Sequence, residues 1–375
     1  MQSDIGLGAR LLIHRKGRLL AASASVAVAV AIMFIELGLF TGVLDSQSLM
    51  VTLVRGDLVV MNIARSNLHR WDRIKAVRLD EIAALPEVER VTPIYEDTVG
   101  LKSPDDKRVR RIVVYAIPPD DIPLDIGDPA EISRLLKIPN GFLFDRRSRP
   151  IFGTIRPGDE IKIDEMPLHV TGYVDIGPDV VNDGAIVMSE GDWRTRFPNA
   201  KPIMGVIHLK PGEDPEKVRD IILARLPPDI RVQTPDEARQ RENAFTLRTA
   251  PIGILFGVGL FAGLVIGVIN CYQVLFNEVS DRLAQYATLK AMGFSNWFLR
   301  RIIFEQALVL SWIGFAVGLV FSIAAYHYIA WKTDLAVRFT MATGLSVFVL
   351  TVAMCILAGW IAIRRVAAAD PAALY

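Results

Sequence analysis

The chain has 375 residues, 51% of them hydrophobic and 22% charged, with a formal net charge of +1 and a mean hydropathy of +0.33. That balance excludes an overall basic nucleic-acid binder and points to a membrane protein. The two cysteines, Cys271 and Cys355, both sit in apolar runs without metal-ligand neighbours, so neither a disulfide framework nor a metal site is indicated.

Residues 1–18 are basic at Arg10, His14, Arg15, Lys16 and Arg18, and an apolar run, 19–43, follows. This run suits the roughly 20 residues that cross a bilayer and exceeds the roughly 7–15 of a signal-peptide core, which favours a retained anchor. Glu36 lies inside it. A lipid-facing carboxylate at mid-membrane costs a few kcal/mol, so Glu36 is expected near the outer end, against protein or water.

Residues 44–249 change character: Pro, Gly, Asp and Arg are frequent, and no apolar run is long enough to span. Asp57–Asn62 reads as a strand, Leu79–Leu85 as a helix and Glu89–Tyr95 as a strand. The same order returns in Gly205–Leu209, Asp214–Leu226 and Arg231–Thr234, with Asp214 as N-cap and Pro215 at the first helical position. Two β–α–β pieces at the ends of the segment predict an α+β core assembled from both flanks. Between them, 117–202 is turn-rich, with alternation at Ile161 and Ile163 and again along His169–Tyr173, which predicts a β-rich insert with hairpins. Within it Phe144–Gly153, FDRRSRPIFG, is a cationic, aromatic stretch that reads either as a surface for an anionic headgroup or partner, or as a charged loop anchored by two phenylalanines.

Three further apolar runs, 250–276, 302–329 and 340–363, complete four spans, separated by a loop at 277–301 and a short one at 330–339, with a tail at 364–375. The excess of Lys and Arg in the N-terminal segment, the 277–301 loop and Arg364–Arg365 places these in the cytoplasm and the large domain on the other side. The fold class is an α-helical membrane protein with four transmembrane helices and a large α+β extracytoplasmic domain inserted between helices 1 and 2. Gly253, Gly257, Gly259, Gly263, Gly267, Gly314 and Gly318 have the small-xxx-small spacing of close helix packing, and Asn270 and Gln273 are expected to bond between helices.

The 277–301 loop holds the most distinctive pattern, DRLAQYATLKAMGFSNWFLRR. Leu283, Tyr286, Ala287 and Lys290 share one helical stripe, with Leu289 beside it. Gly293 stands where a helix C-cap needs positive φ, and Ser295 where the next helix needs an N-cap. The stripe reads as a docking helix for another protein or as an amphipathic helix resting on lipid. The sequence holds no nucleotide-phosphate loop, no H-E-x-x-H and no G-x-S-x-G, and its five histidines are scattered. No catalytic residue, metal ligand or cofactor site is assigned.

One span, a domain of roughly 200 residues and three more spans, with YATLKAMGFSN at Tyr286–Asn296 and AADPAALY at Ala368–Tyr375, resemble the FtsX/MacB-like permeases of ABC transporters. LFDRRSRPIFG (Leu143–Gly153) and HLKPGEDPEKV (His208–Val218) resemble the DevC group in particular. The resemblance implies an inner-membrane permease with cytoplasmic termini and a periplasmic domain of porter-like core and insert. It also implies a homodimer, a separate ATPase that binds ATP and Mg, and a periplasmic adaptor leading to an outer-membrane channel. The stripe from Leu283 to Gly293 then becomes the ATPase-coupling helix, and glycolipid or another amphiphile the exported material. Besides membrane lipid, no nucleic acid or bound cofactor is implied for this chain. An FtsX-like regulator of a cell-wall hydrolase and an ATPase-independent membrane sensor are the alternatives.

Overall fold

The computed structural model describes residues 16–67, 72–281, 288, 292, 296–333 and 339–367. The chain forms two compact units, one of Met1–Gly42, Pro251–Thr333 and Val337–Tyr375, the other of Val43–Ala250 with Asp334–Ala336.

In chain order, α1 (Lys16–Gln47) and the single turn α2 (Leu49–Thr52) lead into β1 (Leu58–Asn62), α3 (Ala76–Ala83) and β2 (Val88–Lys102). Next come β3 (Val109–Ile117), α4 (Pro129–Leu136), β4 (Gly141–Asp145), β5 (Glu160–Ile163), β6 (Met166–Val174), β7 (Ala185–Ser189) and α5 (Glu190–Arg196). The sheet unit closes with β8 (Met204–Leu209), α6 (Pro215–Arg225), β9 (Ile230–Gln233) and α7 (Pro235–Thr249). Local chemistry sets the helix starts. The Asp214 carboxylate accepts the Glu216 N–H ahead of Pro215, and Thr234 with Glu237 forms a reciprocal capping box on α7.

The two β–α–β pieces interleave in one antiparallel sheet of order β2-β8-β1-β9, the arrangement of a ferredoxin-like split βαβ. Alternation along β1 sends Leu58 and Val60 to one face, where Leu79 and Ile82 of α3 and Val218 and Ile222 of α6 cover them. Val59 and Met61 enter the opposite core with Met204 and Val206. Each aliphatic side chain removed from water in this way contributes about 1.5–3 kcal/mol.

The insert contains the expected hairpin, β5 with β6, but closes through pairings that no hairpin supplies. It begins inside β2, whose first half pairs with β8 and whose second half, Tyr95–Lys102, pairs with β3. From β3 the order runs β7-β4-β6-β5 and returns to β2 where Leu101 faces Ile163, so six strands close on themselves. Two of the pairings, β3 with β7 and β4 with β6, are parallel, and parallel neighbours need crossovers rather than tight turns. Leu101, Ile112, Val114, Phe142, Ile163, Val170 and Ile186 share the interior. Phe144 and Phe152 meet edge to face within that core, so the aromatic residues of FDRRSRPIFG are anchors.

In the other unit, α1 packs with α8 (Ile252–Asp281), α9 (Asn296–Thr333) and α10 (Met341–Ala367). All four helices are long and apolar enough to cross a membrane. Contacts between them fix their relative directions. Positions 26 and 30 of α1 meet 314 and 318 of α9, so these two run parallel, whereas 32 and 29 of α1 meet 263 and 267 of α8 in reverse order. On α10, Met354 lies against Gly267 and Gly359 against Leu275, so α8 and α10 run parallel to each other. This is the up-down alternation that four consecutive spans require.

Candidate functional site

The closest approaches between spans lie in the seam around α1, which runs between two stripes of small residues. Toward α9, a β-carbon on Gly314 would collide with Val26, and one on Gly318 would come 2.5 Å from Val30 Cγ1 and 2.9 Å from the Ala27 carbonyl oxygen. Val26 and Val30 are fully buried there. Close approach of this kind is what small residues allow between helices that share no hydrophobic driving force in lipid. Farther along, the Tyr326 hydroxyl donates to the Phe34 carbonyl, and it occupies the space beside Gly38.

Toward α8, Gly263 leaves room for Ile32 at 3.0 Å from an added β-carbon, and Gly267 for Ala29 at 3.0 Å and the Met354 sulfur. One turn earlier the half-buried Glu36 carboxyl group lies directly on Gly259. Glu36 therefore packs on protein, near the end of α1 that leads into the sheet unit. Gly257, grouped with these glycines by spacing, is on the open face of α8 with nothing near it. The expected interhelical role of Asn270 and Gln273 is not what the structure has. Asn270 is half-buried, Gln273 is exposed, and neither reaches another span by a hydrogen bond among the described residues.

Among the longer polar side chains, those enclosed are Glu278 on α8 and Gln306 on α9. Gln306 has no accessible surface and, among the described residues, neither amide atom has a hydrogen-bond partner. A lone amide inside an apolar run is a signal the sequence offers, since polar side chains inside spans are costly and mark functional positions. The thiols of Cys271 and Cys355 meet between α8 and α10 as free, buried cysteines.

Leu283, Tyr286, Ala287, Leu289, Lys290 and Gly293 lie outside the described residues. Within this stretch Thr288 is helical and exposed and Met292 is in a turn and exposed, and after it Trp297 is exposed at the start of α9.

The sheet unit has its own polar cluster. Arg65, buried against the Ile203 carbonyl at 3.0 Å, lies 3.9 Å from the Glu96 carboxylate. Burial pushes the Glu96 carboxyl up to about 7; Arg65 opposes that shift and the nearby Asp179 adds to it. Burial likewise raises the Tyr115 phenol beside them and lowers Arg65. Among the described residues no group of three or more His, Cys, Asp or Glu could hold a metal ion.

A sheet domain lies in the chain between the first and second of four helices long and apolar enough to cross a membrane, and glycines line the contacts among those helices. Residues 257–371, the last three spans, match the family described as FtsX-like permease C-terminal. In the sheet unit it is similar to the periplasmic region of MacB from Actinobacillus actinomycetemcomitans, at 9% identity and a TM-score of 0.36, covering 53% of this chain and 95% of that one. It is also similar to the extracellular domain of the noncanonic ABC-type transporter YknZ from Gram-positive bacteria, at 10% identity and a TM-score of 0.34, covering 48% and 99%. No curated protein matches the chain.

Proposed function

We propose that the chain is the permease subunit of a MacB-like ABC export system of the DevC type, working as a homodimer with a separate ATPase. In this reading ATP and Mg are bound by the partner. The segment Leu283–Gly293 docks on it, the termini are cytoplasmic and the sheet unit is periplasmic in the inner membrane. Closure of two ATPases would draw the coupling segments together. The spans would carry that displacement to the sheet domains, which would drive glycolipid or another amphiphile into a periplasmic adaptor and outer-membrane channel. The observation that carries the reading is the FtsX-like match over residues 257–371, which includes the whole coupling segment.

The test is affinity purification of the full chain from membranes, with identification of its companions, for the native protein and for Tyr286→Ala and Gly293→Val. Tyr286→Ala is expected to weaken ATPase association by about 1–3 kcal/mol, as for an interface hot spot. Gly293→Val is expected to leave association intact and abolish export, because a β-branched residue resists positive φ. An ATPase accompanied by a cell-wall hydrolase rather than an adaptor would replace export with regulation. Normal association and export in both variants would leave the segment resting on lipid.

A further inference from the structure

Glu96 stands where β2 changes partners. Up to Ile94 the strand pairs with β8 in the ferredoxin-like core, and from Tyr95 it pairs with β3 of the insert, where Glu96 is directly opposite Tyr115. Groups from both parts meet around its side chain. From the core side comes Arg65, whose guanidinium donates to the Ile203 carbonyl at 3.0 Å and the Asn67 carbonyl at 3.2 Å. Farther back, Glu242 of α7 and Asp72 lie near Arg65. From the insert side come the Tyr115 phenol and the loop after β6. In that loop the Asp179 carboxylate accepts the N–H groups of Val181 and Asn182, both at 2.6 Å, and the Asn182 amide at 2.8 Å. Next to Glu96 on β2, Asp97 pairs with Arg73 at 2.9 Å. Ser46, Gln47 and Met50, which fold with the sheet unit, join Glu96, Tyr115, Asp179 and Asn182 around a small cavity of about 10 Å³, room for one water-sized guest.

Unused hydrogen-bonding capacity distinguishes this cavity. Among the described residues no N–H or O–H group donates to the Glu96 carboxylate, and its ion-pair partner Arg65 stays 3.9 Å away. The Tyr115 hydroxyl has no partner there either, nor does the Ser46 hydroxyl, in a residue only 6% exposed. An enclosed carboxylate is costly unless its oxygens are bonded, as those of Asp179 are. A neutral carboxyl group carries its own donor, and Asp179, Tyr115 and Ser46 all offer it oxygen acceptors around the same cavity.

We propose that Glu96 is a proton-binding site at the joint between the core and the insert: neutral, it holds the tip of the loop after β6 closed on β2, and ionised, it draws water into the cavity and loosens that tip. The direction agrees with how the group titrates. Burial raises its carboxyl from the ordinary 4.5 to about 7, with Asp179 and Asp97 adding to the shift and Arg65 and Arg73 opposing it. A carboxyl raised in the closed form stabilises that form fully below about pH 4.5 and loses this effect as the pH rises through 7. The site lies wholly in the sheet unit and does not need ATPase coupling, so its failure leaves the permease reading as it was.

The test is hydrogen–deuterium exchange of the full chain in phosphatidylcholine nanodiscs, read by mass spectrometry and corrected for the intrinsic pH dependence of amide exchange. The segment to follow is 178–184, where the N–H groups of Asp179, Val181 and Asn182 are all bonded. Helix α6, which covers the other face of the core sheet, is the reference. Protection of the segment in the native chain is expected to fall about tenfold between about pH 6 and about pH 8, the ratio set by a carboxyl at about 7 in the closed form and 4.5 in the open one. Glu96→Gln, neutral at every pH, should keep the low-pH protection throughout. Native protection that does not change with pH overturns the proposal and needs no variant. So does an equal fall in Glu96→Gln, which would assign the response to other groups.

Discussion

The two sides of α1 use the same device and differ at one position. Against α9, the atoms that face Gly314 and Gly318 are branched carbons of Val26 and Val30 and the backbone oxygen of Ala27, none of which can turn away. Against α8, Gly263 faces the β-branched Ile32 and Gly267 faces the Ala29 methyl, but Gly259 faces the free end of the Glu36 side chain. Unbranched ends can swing into other rotamers, whereas a β-branched side chain in a helix has essentially one. Identical glycine spacing thus gives one interface that is tight throughout and another whose slack is confined to Gly259.

The largest expected effect is on the tight side. Gly318→Ala adds a methyl 2.9 Å from a carbonyl oxygen and 2.6 Å from Val30 Cβ, so the helices must separate. Overpacking of that kind costs about 1–3 kcal/mol, more than the roughly 1 kcal/mol that alanine gains over glycine in helix propensity. Thermal or denaturant unfolding of the purified protein should show a clear loss of stability. An unchanged midpoint would mean that α1 and α9 are not fixed in the way described. Next in size is Tyr326→Phe, which keeps the ring and removes only the donor to Phe34. Hydrogen bonds between spans are worth about 0.6 kcal/mol on average and up to about 1.7, so a modest fall in the same measurement is expected. A fall as large as that of Gly318→Ala would shift the weight of this contact from packing to hydrogen bonding.

How far the sequence discloses these features follows from the range of the interactions behind them. The spans are legible because each is one continuous apolar run, and α6 because Asp214 and Pro215 mark its start beside it in the chain. The ferredoxin-like core is legible as repeated β–α–β order. The closed six-stranded insert is not: β2 serves two sheets along its 15 residues, and β3 finds β7 across an intervening helix and three strands. Nothing local to Tyr95 announces that the pairing partner changes there. Glycine spacing names candidates without naming faces. Gly257 and Gly259 are two residues apart and so point to different sides, and only the second meets α1. Gln306 stands in plain view in an apolar run, yet its complete enclosure depends on where α9 turns that face.

The smallest effect, and the one that defines the slack position, belongs to Gly259→Ala. By distance alone it is as severe as any glycine substitution in the seam, because the added methyl would occupy the place of the Glu36 carboxyl group. Distance is the wrong guide here, since the obstructing atoms end a flexible side chain that is only half-buried and lies near the end of its span. Rotating the carboxylate outward toward the interface relieves the clash and improves its hydration, while the methyl gains helix propensity of up to about 1 kcal/mol. The two changes largely cancel, so stability should move by about 0.5 kcal/mol or less in either direction, close to that of Gly257→Ala on the open face. Unfolding of Gly259→Ala, Gly257→Ala and Gly318→Ala side by side provides the check. If Gly259→Ala is as damaging as Gly318→Ala, the Glu36 contact is as rigid as the valine contacts, and α1 is clamped along both sides without slack.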